Sequence, residues 1–172
     1  MKAILYSLLA AVAMMSLAGC DRLNNKSLPE YPVRINLGNY ALWTTYGVVG
    51  VGDYRIFNRD KKLPSNFAYD VNTFTGYGGV LLVMEQDIYS TSTGTIAPHA
   101  YDLSCPVEGR ADVVVGIDEE LMRAVCPQCK SQYDVFFQGG RGVSGSAASH
   151  NKGLNPYKVR ATGSGGYIIS NY

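Results

Sequence analysis

Two thiols separated by two residues in Cys126-Pro127-Gln128-Cys129 can turn their sulfurs toward one point, and Cys105, in Leu103-Ser104-Cys105-Pro106-Val107-Glu108, can close on that point from a second loop. Sulfurs so placed have three chemistries open to them: holding a metal or iron–sulfur cluster, forming a disulfide, or exchanging one. The 2 His of the sequence are the nitrogen donors that could join them. His99 precedes Cys105 by six residues and reaches a shared site only if the chain between them bends; His150, in Ser149-His150-Asn151-Lys152, reads as a solvated side chain. Acid–base chemistry has less to stand on, because Glu119 and Glu120 are adjacent and face opposite sides of a strand or turn. The glycine-studded run from Gly47 to Gly52 lacks the following Lys-Ser or Lys-Thr of a phosphate-binding loop. A formal net charge of +1 leaves no field for gathering nucleic acid, so no nucleic-acid partner is expected.

The elements that must position the cysteines read as strands. Hydrophobic content of 47% with 17% charged residues describes a folded chain, and 19 Gly and 13 Tyr favour strands and tight turns over long helices. Val33-Arg34-Ile35-Asn36-Leu37 alternates with period 2, and Gly38-Asn39 before Tyr40 to Tyr46 predicts a hairpin. Tyr54 to Phe57 is a short strand, and Val80-Leu81-Leu82-Val83-Met84 is an unbroken apolar run of strand length, as for a strand buried on both faces. A hairpin of Ala111 to Ile117 with Leu121 to Val125 separates the cysteine loops. Tyr133 to Phe137 follows as a strand, Val143 to Gly153 as a small-residue loop, and Tyr157 to Ala161 with Tyr167 to Ile169 close the sheet. The expected fold class is all-β.

The N-terminal segment has a different purpose. Lys2 followed by the apolar run Ala3 to Ala13 and then small residues is the pattern of a secretory signal, too short for a membrane span. Leu17-Ala18-Gly19-Cys20 resembles the lipobox of bacterial lipoproteins, which implies a signal peptide over 1–19, lipidation of Cys20, a polar tether over 20–31 and a domain over 32–172. The resemblance implies an exported lipoprotein of the cell envelope whose partner is a membrane, reached through the Cys20 lipid; a protein partner is not identified. With Cys20 committed to lipid, 3 of the 4 Cys remain, an odd number for disulfide pairing in an oxidising compartment.

From Gly78 to Tyr172 the pattern resembles a Rieske domain: a buried strand, a first ligand loop, a hairpin, a second ligand loop, then closing strands. The resemblance implies a Rieske-like β-sandwich with a small cluster-loop lobe over about 104–133, in which Cys-x-His and Cys-x-x-His loops hold a [2Fe-2S] cluster. Cys105 and Cys126 match the family's cysteines. Ser131 and Tyr133 match the serine and tyrosine whose hydroxyls bond cluster sulfur or a cysteine ligand, and Asp134 continues the match. Gly142 to Ala147 resembles the small-residue loop over the cluster, with Ser146 in place of proline. Val107 stands at the first histidine position and has no lone pair for iron; Cys129 stands at the second. An ordinary cluster is therefore not expected, and neither is enzymatic activity. Four readings stay open: a cofactor-free domain with a disulfide among the three thiols; an atypical [2Fe-2S] electron-transfer site completed by a residue such as His99; a structural zinc site; and a thiol–disulfide exchanger, for which the βαβ context is missing. The first leaves a structural or binding module of the envelope.

Overall fold

The computed structural model describes residues 27–87 and 95–171. The segment read as signal peptide, Cys20 and most of the tether lie outside the described residues. Strand accounts for 42% of the molecule and helix for 9%, which makes it all-β. The strands are β1 (Val33–Asn39), β2 (Tyr54–Phe57), β3 (Phe74–Thr75), β4 (Val80–Asp87), β5 (Thr95–Asp102), β6 (Gly116–Asp118), β7 (Arg123–Val125), β8 (Gln132–Asp134), β9 (Arg141–Ser144), β10 (Pro156–Ala161) and β11 (Gly165–Ser170). Two short helices, α1 (Tyr40–Tyr46) and α2 (Gly145–Ser149), join them. Among the described residues, seven strands form a nearly closed sheet in the order β2-β4-β5-β10-β11-β1-β3, and four form a small sheet, β6-β7-β8-β9.

Strand β4 is the wall between two cores. Its alternation sends Leu81 and Val83 into one cluster with Cys105, Cys126, Tyr133 and Phe136, and Val80, Leu82 and Met84 into another with Ile35, Phe57 and Ile169. Val80 to Val83 are all 0% exposed, so each contributes about 1.5–3 kcal/mol of burial. The unbroken apolar run in the sequence is thus a two-faced strand, as its pattern predicts. The first of these cores lies between the large sheet and the small one, and the cysteines are part of it.

The structure corrects three local expectations. Gly38-Asn39 does not turn a hairpin: β1 pairs instead with β11, Ile35 opposite Ile169, and Tyr40–Tyr46 is helical. The reason is a cap. Asn39 is extended, and its side chain accepts the Leu42 N–H at 2.8 Å, satisfying one of the helix's unpaired donors. Leu42 and Tyr46, one turn apart, then pack on the second core, overriding the strand preference of the aromatic and β-branched residues between them. Next, the strand expected over Tyr133 to Phe137 ends at Asp134, whose Oδ1 accepts the N–H groups of Phe136 and Phe137 at 3.3 and 2.9 Å and starts a turn. Finally, the segment expected to be a loop after Gly142 is the end of β9 followed by α2.

The ordered body also reaches back into the segment read as tether. Leu28 is buried, Tyr31 packs its ring 5.4 Å from that of Tyr77, and Asn171 Nδ2 donates to Tyr31 O at 2.9 Å. No helix among the described residues is long and apolar enough to cross a membrane.

Candidate metal centre

Each end of the small sheet's β6–β7 hairpin leads to a cysteine loop. On the first side, Leu103 O accepts the Val115 N–H at 2.8 Å and Val113 O accepts the Cys105 N–H at 2.9 Å, so Cys105 is held at the edge of the sheet before its loop begins. Asp102, at the end of β5, fixes the approach: its carboxylate accepts N–H groups of Ser104, Tyr77 and Gly78 at 2.7, 3.1 and 3.3 Å and the Tyr157 hydroxyl. On the second side, Cys126 leaves β7 and its N–H donates to Ser131 O at 2.9 Å, closing Pro127 to Lys130 into a tight turn. Helix α2 and the segment just after it tie the two loops together. The Ala147 N–H donates to Ser131 Oγ at 3.1 Å, and Lys152 Nζ donates to Pro106 O at 2.9 Å.

These constraints bring the three sulfurs together, all within 4.8 Å of one another. The cysteines are free thiols, with Cys105 and Cys126 buried and Cys129 half-buried. Cys105 Sγ and Cys129 Sγ are 3.7 Å apart. Two hydroxyls touch them: Tyr133 Oη at 3.2 Å from Cys105 Sγ, and Ser131 Oγ at 3.2 Å from Cys129 Sγ. Because Ser131 Oγ already accepts the Ala147 N–H, its own hydrogen is free to donate to a Cys129 thiolate.

The electrostatics separate the thiols. Burial pushes the Cys126 thiol up to about 12, and hydrogen bonds with Cys105 and Cys129 add to the rise against the opposing backbone N–H groups of Cys129 and Gln128. For Cys129 burial also acts upward, but the Ser131 hydroxyl and N–H, with the other two thiols, outweigh it and hold the group below its ordinary value. Burial, then the hydrogen bond to Cys105, keeps the Tyr133 phenol protonated far above its usual range, so it is a standing donor to sulfur.

The donor set fits one ion better than a two-iron cluster. A Rieske cluster needs a separate pair of ligands on each of two irons. Here three sulfurs share one point, and Val107 offers only alkyl contacts to the surrounding core. A [2Fe-2S] cluster does not fit these residues. A single tetrahedral zinc, with Zn–S of about 2.3 Å, separates its sulfurs by about 3.8 Å. The 3.7 Å between Cys105 and Cys129 is that spacing.

His99 does not join the sulfurs. It lies on β5 opposite Val83, and its Nδ1 is 3.5 Å from a Glu85 carboxylate oxygen. Among the described residues the convergent group contains the three cysteines alone. From His99 the chain continues along β5 to Asp102, and the histidine stays on that strand beside Glu85, away from the sulfurs. His150 is exposed at the end of α2, bonded to Ser146 O at 2.8 Å. Sequence reasoning missed Asp102 and Lys152, whose long-range bonds fix the first loop; an aspartate two residues before Ser104 at a strand end was the available sign of a turn-forming carboxylate. No family model matches the chain, and no curated protein matches it significantly.

Proposed function

We propose that this chain is a cell-envelope lipoprotein whose Rieske-like domain carries a single structural metal, zinc by its donor set, in place of an iron–sulfur cluster. The observation that carries this reading is the convergence of three free thiols within 4.8 Å, two of them at tetrahedral spacing. The Rieske-like assignment draws support from the order of a two-faced strand, a cysteine loop, a hairpin and a second cysteine loop, and from hydroxyls of Ser131 and Tyr133 on the sulfurs. When bound, the ion would supply a crosslink between two loops that otherwise meet only through hydrogen bonds and packing. Cys105, Cys126 and Cys129 would hold it as thiolates. Ser131 and Tyr133 would orient and stabilise the sulfurs, as outer partners of metal ligands do. Burial of Cys105 and Cys126 favours a structural role over a catalytic one. The lipid anchor rests on Leu17-Ala18-Gly19-Cys20, and replacing Cys20 by Ala should move the protein from the membrane to the soluble fraction.

A disulfide is the second reading, favoured by the same 3.7 Å approach of Cys105 to Cys129. It would leave Cys126 as the lone buried thiol. Anaerobic purification followed by metal analysis and thiol counting separates the two. One zinc per chain, lost in Cys126→Ser, supports the metal; no metal with one reactive thiol in the denatured domain supports the disulfide. Two irons with visible absorption would overturn both.

A further inference from the structure

The two cysteine loops are built as the same turn. Cys105 O accepts the N–H of Gly109 at 2.9 Å, and Cys126 O accepts the N–H of Lys130 at 3.1 Å, so each cysteine carbonyl closes on the residue four positions later. Both closing residues are left-handed, Gly109 at φ 66° and Lys130 at φ 59°. In each loop the residue after the cysteine is proline. The loops leave opposite ends of one hairpin, and Cys105 and Cys126 are the equivalent first residues of the two turns. By that equivalence the partner of Cys129 is the residue just before Gly109. That residue is Glu108.

We infer that Glu108 supplies the fourth ligand to the ion held by Cys105, Cys126 and Cys129. The inference rests on the metal reading and goes beyond it by naming the group that completes the coordination. Zinc takes carboxylate oxygen as well as thiolate, and a three-thiolate structural site needs one more donor to close its tetrahedron. The resemblance directs attention to Val107, which has no lone pair; the turn geometry directs it one residue further. Glu108 is half-buried, and its charge interacts with the Arg110 guanidinium two residues on. It stands outside the group of converged sulfurs in this structure, so ligation requires its side chain to turn inward from the position that Cys129 holds in the other loop. The Lys152 ammonium, bonded to Pro106 O on the same loop, brings positive charge to offset the added carboxylate.

Cobalt(II) substitution of the purified full-length protein, under anaerobic conditions, tests this with a readout that reports ligands directly. Wild-type protein should show thiolate-to-cobalt charge transfer together with the intense d–d bands of a tetrahedral ion. Glu108→Gln should keep the charge-transfer absorption of three thiolates, shift the d–d bands and weaken zinc affinity at least tenfold. Glu108→Cys should restore tight binding and raise the charge-transfer intensity by about a third, as a fourth thiolate requires. Circular dichroism of both variants checks that the fold is kept. If Glu108→Gln leaves affinity and d–d bands unchanged, the inference fails while the metal reading stands. Absence of any charge-transfer band in the wild-type protein sinks both.

Discussion

The sulfurs are held by two hydroxyl residues whose roles differ. Ser131 is fully buried and spans two contacts, accepting the Ala147 N–H at 3.1 Å and meeting Cys129 Sγ at 3.2 Å. Ser131→Ala strands a buried backbone N–H and should cost about 1–3 kcal/mol in denaturant unfolding. It also removes a hydrogen bond that favours the Cys129 thiolate, so alkylation of Cys129 in the metal-free protein should slow at neutral pH. Tyr133→Phe removes a donor to Cys105 but leaves no buried N–H behind, and its stability cost should be smaller, about 0.5–1.5 kcal/mol. Equal losses in the two variants would argue that Ser131 acts on sulfur alone. At this scale the sequence was partly transparent: the Cys-x-x-Cys spacing and the hydroxyls near it announced a shared point. That Glu108 occupies the position in its turn that Cys129 holds in the other was not visible, because the equivalence depends on two carbonyl-to-N–H closures between backbone groups.

Helix α2 is the element that closes over the second cysteine loop, and its first residue decides how near it comes. Gly145 has φ +69°, and a Cβ there would stand 3.1 Å from both the Cα and Oγ of Ser131. Gly145→Ala therefore meets left-handed strain and a crowded backbone together. It should lower stability by about 1–3 kcal/mol, and by pushing α2 off Ser131 it should also weaken metal binding in a zinc competition assay. Gly163→Ala, with nothing within 4 Å of the added carbon, is the control and should leave metal affinity unchanged. The elements also show where sequence pattern fails. Strand β4 was legible because burial on both faces leaves an unbroken apolar run, whereas α1 was not, because its seven residues are too few to establish a helical period. What fixes α1 is a single side chain, Asn39, whose cap looks in sequence like half of a turn.

Across the whole molecule, groups from distant parts of the chain are brought together, and such pairings were the least legible feature. The pairing of β1 with β11, for example, joins the two ends of the domain. Buried Glu85 on β4 accepts the Tyr101 hydroxyl at 2.8 Å and the Gly139 N–H at 2.7 Å, linking the large sheet to the turn beyond β8. Within the large sheet, the Tyr157 hydroxyl on β10 donates to Asp102 at the end of β5, beside the first cysteine loop. Burial, and then the neighbouring carboxylate, raises both phenols well above the ordinary value of 10.0, while burial takes Tyr69 up to about 12. The folded protein thus holds these phenolic protons more tightly than the unfolded chain does, so their contribution is fully present below pH 10 and is lost as the pH rises through 10 to 12 and beyond. Thermal unfolding measured against pH should show a falling midpoint above about pH 10. Phenolate absorbance from the buried tyrosines should appear together with unfolding rather than before it. Tyr157→Phe, which keeps the ring and removes the hydroxyl, should flatten the alkaline fall. Complete ionisation of the tyrosines while the protein is still folded would contradict this account, because a phenolate beside Asp102 or Glu85 would place two negative charges together in the interior.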